Sequence, residues 1–86
     1  MKEEEFTNLI TSCGFRLDKK EQMGATEYSY YIKFTGYGKY TLKRFNNLFF
    51  SIDFDITNGT NGCIFIGYVL NEDEFRLIMK RIQMPI

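Results

Sequence analysis

The chain has 86 residues with nine Phe and six Tyr, no His and no Trp, and 11 acidic side chains balance 11 basic ones to a formal net charge of zero. That length supports one domain around one small core, and the balanced charge supplies no long-range field to draw the whole molecule onto nucleic acid or anionic lipid. Without histidine, a serine or cysteine nucleophile lacks its usual base and a zinc site its usual ligand, so no catalytic, metal or cofactor-binding residue is expected.

The acidic start, Met1-Lys2-Glu3-Glu4-Glu5, leads into no long apolar run; neither a secretory signal nor a membrane span is expected, and a cytoplasmic location follows. Phe6, Leu9, Ile10 and Cys13 are spaced for one stripe of a helix over about residues 3 to 13. The three glutamates suit its positive end, and Gly14 stops it in a left-handed conformation. Phe15 and Leu17 open an alternating strand, and 19–26 reads as a polar loop containing Gly24.

In the next strand Tyr28, Tyr30, Ile32 and Phe34 share the core face, with Ser29, Tyr31 and Lys33 opposite. After the turn Gly36-Tyr37-Gly38, Tyr40 and Leu42 alternate with Lys39, Thr41 and Lys43. Then Leu48, Phe50, Ile52, Phe54 and Ile56 alternate with Phe49, Ser51, Asp53 and Asp55. Three-residue hairpin loops pair Phe34 with Tyr40 and Leu42 with Phe50, and set Lys39 opposite Asp53. Residues 58–62, Asn-Gly-Thr-Asn-Gly, read as a turn-rich and mobile connection. Cys63 to Leu70 is apolar on both faces, as in a strand buried on both sides. Cys13 and Cys63 have no CxxC spacing and are expected as buried free thiols.

The last helix carries the strongest local signature. Asn71 is placed to cap it with Glu74 three residues later, Leu70 to staple onto Phe75, and Pro85 follows its end. Phe75, Ile78, Met79 and Ile82 form its apolar stripe. The expected fold is α+β, a single domain over 1–86 in the order α-β-β-β-β-β-α, with a mainly antiparallel five-stranded sheet and both helices on one face.

The paired Asp53 and Asp55 are expected to be an ordinary solvated salt-bridge face, since Asp53 has Lys39 opposite. Gly36-x-Gly38 is a hairpin turn rather than a phosphate loop. Two helices cover one face of a five-stranded sheet, which leaves an aromatic and basic outer face carrying Tyr31, Lys33, Tyr37, Lys43, Phe45 and Phe49. The function expected is that of a non-enzymatic interaction module whose partner is another protein or a second copy in a homodimer. The alternative is a single-stranded nucleic-acid binder using the same face. Abundant Phe, Tyr, Ile, Asn and Lys, with Ala25 and Pro85 the only residues of their types, match AT-rich coding. That bias associates the chain with a low-GC bacterium, its phages or another mobile element, and suggests an accessory or inhibitor protein.

Overall fold

The computed structural model describes residues 2–36, 38–45, 49–56, 61–69 and 71–82. Expectations placed on Tyr37, Leu48, Leu70, Pro85 and residues 57–60 lie outside them.

The N-terminal stripe forms α1 (Glu3–Ser12), which buries Phe6, Leu9 and Ile10. It ends in overlapping turns, with the Cys13 amide donating to the carbonyls of Leu9 and Ile10 and the Gly14 amide to that of Thr11. Gly14 stands at φ 96°, a conformation that a side chain disfavours. Five strands follow, β1 (Arg16–Met23), β2 (Thr26–Phe34), β3 (Gly38–Arg44), β4 (Phe49–Ile56) and β5 (Asn61–Tyr68), and α2 (Glu72–Ile82) closes the order. Each strand pairs antiparallel with the next, so spatial order equals chain order. This is the α+β arrangement expected from the sequence.

Both helices lie on one face of the sheet. Phe6 of α1, Phe50 of β4 and Phe75 of α2 meet with ring centroids 5.4 to 5.7 Å apart, and Leu9, Ile10, Phe15, Tyr31, Tyr40, Leu42, Ile52, Val69 and Met79 complete the core around them. Burying three aromatic rings against one another contributes area together with the tilted and edge-on geometry that such rings prefer.

Five local expectations are corrected. Residues 19–26 are not a loop: β1 continues to Met23 and turns into Thr26 through Gly24-Ala25, with Gly24 at φ 63°. A two-residue hairpin needs positive φ at its first position, which glycine supplies. β1 is a charged, exposed edge strand, so no apolar alternation marked its length.

β2 presents the opposite face from the one expected. Phe34 pairs with Lys39, and Tyr31 with Leu42, so Ser29, Tyr31 and Lys33 point to the helices and Tyr28, Tyr30, Ile32 and Phe34 point away. The turn is one residue shorter than the three-residue loop assumed, since the register sets Phe34 against Lys39 rather than Tyr40. Its ends are tied by the Thr35 amide donating to the Gly38 carbonyl at 2.8 Å and the Gly38 amide donating to Thr35 Oγ1 at 3.2 Å. One residue reverses every side chain of the strand.

Between β3 and β4 the register moves by two, with Leu42 opposite Ile52 and Arg44 opposite Phe50. Faces are unchanged, but Thr41 replaces Lys39 as the neighbour of Asp53, and Lys39 stands opposite Asp55.

β5 is not buried on both sides. It is the sheet edge beyond β4, and Ile64, Ile66 and Tyr68 are 44%, 61% and 65% exposed. Both cysteines are free, but Cys13 is half-buried and Cys63 exposed.

The open sheet face as a candidate interaction surface

Among the described residues, no element packs over the side of the sheet that faces away from the helices. At one end of this face an aromatic row crosses four strands. Tyr28 meets Phe45 edge-on at 5.4 Å, Phe45 meets Phe49 at 5.0 Å, and Phe49 meets Tyr68 at 4.8 Å. The alternation of each strand puts these rings on one side, and cross-strand neighbours on one face stand close enough to touch. Ile66, paired with Ser51, extends the apolar area along β5.

Lys43 lies within this row. Its ammonium is 4.7 Å from the ring centre of Tyr28, 5.3 Å from that of Phe45 and 5.5 Å from that of Tyr30. Three π-faces around one cation form an electrostatically favourable enclosure. On the outer strand, Lys19 lies 4.8 Å from the Tyr30 ring and 3.0 Å from Glu21. The hydrogen bond between them raises the Lys19 ammonium and lowers the Glu21 carboxyl relative to their ordinary values. Both side chains are well exposed, so solvent screening keeps the pair weak.

The other end is polar, with Thr41 paired to Asp53 and Lys39 to Asp55. Among the described residues the ion pairs are Lys19–Glu21 and Arg76–Glu72, so Lys39 is a cross-strand neighbour of Asp55 without forming an ion pair with it. The expected Lys39–Asp53 bridge is absent because the register slip separates its partners. No three metal-ligating side chains converge among the described residues.

Of the residues expected on this face, Lys43, Phe45 and Phe49 are there. Tyr31 and Lys33 are not, because the shorter β2–β3 turn reverses β2. Tyr31 is 4% exposed in the core. Lys33 Nζ donates to the Cys13 carbonyl at 2.8 Å, placing a cation at the negative end of α1, whose own last turn has no basic residue. Arg44, next to Lys43 in β3, points to the helix side and is buried. It donates to Thr7 Oγ1 and to the Glu3 carbonyl, and its guanidinium lies over the Phe6 ring.

The face gains Tyr28, Tyr30, Ile64, Ile66 and Tyr68. The last three were signalled by the two-sided apolarity of residues 63–69. Tyr28 and Tyr30 had no such signal, since both phases of the β2 alternation contain large apolar side chains. No family model, curated protein or solved structure matches the chain.

Proposed function

We propose that this chain is a non-enzymatic protein-interaction module that works through the open face of its sheet. One observation carries the reading: the aromatic row from Tyr28 to Tyr68 continues into Ile66 and Ile64 with no other element of the described chain over it. A contiguous apolar patch rimmed by charges is the surface composition of a protein interface, and its aromatic content is that of an interface centre.

The enclosure of Lys43 favours protein over nucleic acid as the partner. A single-strand platform stacks bases on free ring faces and sets its cations against phosphates, whereas Lys43 is directed onto the same rings a base would use. Glu21, Asp53 and Asp55 add negative charge to that side of the sheet.

Ile66→Glu tests the reading with little risk to the fold, because Ile66 is 61% exposed. Protein association, measured by sedimentation and by affinity capture, should be lost in this variant and should survive moderately high salt in the unmodified chain. Association that collapses with salt and transfers to single-stranded nucleic acid would replace this reading with the nucleic-acid one. Association unaffected by Ile66→Glu would remove the face from the function.

A further inference from the structure

We infer that the partner of this face is a second copy of the chain, packed sheet to sheet about a twofold axis that runs across the strands. The inference rests on the face being a protein interface, and charge arrangement adds the identity of the partner. The face is aromatic around Lys43 at one end and carries Asp53 and Asp55 with the single cation Lys39 at the other, on one surface of a molecule with zero net charge. Two copies therefore meet without overall repulsion, and each offers the complement of what the other exposes.

The axis follows from where the charges stand. A twofold axis across the strands lays β3 on β3 of the second copy with its direction reversed. With the axis crossing β3 at Leu42, Lys43 lies over Thr41 and beside Asp53 of the second copy, and Lys39 lies over the Phe45 ring of the second copy. An axis along the strands superposes each cross-strand row on itself. It would set Lys43 against Lys43 and Lys39 against Lys39 at the centre of a desolvated interface, which is strongly unfavourable. Aligned sheets pack face to face at about 10 Å with side chains interleaved, and the open face has the shape for it. The molecule is a slab of 35 × 30 × 19 Å. An outline of that breadth encloses roughly 800 Å² per partner, the size of a standard stable interface.

The first experiment is sedimentation equilibrium on Lys43→Asp, Asp53→Lys and the double exchange. Each contact occurs twice across a twofold axis, so either single change should raise the dimer Kd by at least about tenfold, and the double exchange should recover most of the loss. Thr41→Arg, at the centre of the face, should also block the dimer by confronting Lys43 of the second copy.

A second measurement uses the unmodified chain. Cys63 is exposed and paired with Asp53 at the outer strand. The across-strand axis brings the two Cys63 thiols within about 10 Å of each other, whereas the along-strand axis puts them on opposite sides of the sandwich, roughly 19 Å apart. A short bismaleimide should join Cys63 to Cys63, as read by peptide mapping. A dimer that ignores Thr41→Arg and the charge exchange, as edge pairing through β5 would, overturns the inference. So does a dimer without the Cys63 cross-link. A monomer that captures a different protein through an Ile66-dependent contact overturns it while leaving the proposed function standing. A monomer that captures nothing overturns both.

Discussion

Lys33 and Tyr40 each reach from the inner face of the sheet to the C-terminal end of a helix, where backbone carbonyls lack partners. Lys33 serves Cys13 at the end of α1, and the Tyr40 hydroxyl donates to the Ile82 carbonyl of α2 at 2.7 Å. Lys33→Met keeps the apolar stem but loses a charged hydrogen bond, and is expected to cost about 1 kcal/mol in urea denaturation, since the site is partly solvated. Tyr40 gives a pH signature. Burial raises its phenol above the ordinary value of 10.0, so the folded state holds the proton more tightly than the unfolded state. Its contribution is therefore complete below that value and is lost as pH rises through the folded pKa. Thermal melts between neutral and strongly alkaline pH should show a steeper stability loss in the unmodified chain than in Tyr40→Phe; parallel curves would show that the phenol is not protected. Neither role was legible in the sequence, because each joins residues far apart in the chain, and Lys33 was read as a solvent-facing cation.

Helix α2 was legible because its instructions are local. The Glu74 amide donates to Asn71 Oδ1 at 2.8 Å, Phe75 and Met79 are buried, and Lys80 and Arg81 occupy the last turn. Asn71→Ala should cost about 1 kcal/mol. Phe75→Ala, which removes one ring from the three-ring centre of the core, should cost about 3 to 5 kcal/mol. Chemical denaturation giving both the same small effect would contradict the packing of this helix. Strand β1 is the opposite case. Its residues, Arg-Leu-Asp-Lys-Lys-Glu-Gln-Met, have almost no buried side chain, so what holds it is the backbone ladder to β2, to which side-chain alternation gives no clue. β2 was identified as a strand, but its phase was not, because Tyr31 on one side and Tyr30 on the other offer similar apolar area.

For the whole molecule, the neighbouring rings Phe49 and Phe50 measure the difference between the two sides of the sheet. Phe50 is fully buried between the helices, while Phe49 belongs to the open aromatic row. Phe50→Ala should cost about 3 to 5 kcal/mol of monomer stability, whereas Phe49→Ala should stay within about 1 kcal/mol and act on association instead. Equal losses for both would mean that the outer face is covered within the monomer. Periodicity, capping and strong apolar alternation act within a few residues, so the α+β class, the element order, the two helices, the Asn71 cap of α2 and the inner faces of β3 and β4 could be read from the chain alone. Tertiary structure alone decided the phase of β2, the pairing of β1, the edge position of β5 and hence the membership of the open face. Those depend on the length of one turn and on which strand edge remains unpaired, and a change of a single residue in a turn exchanges the two sides of a strand.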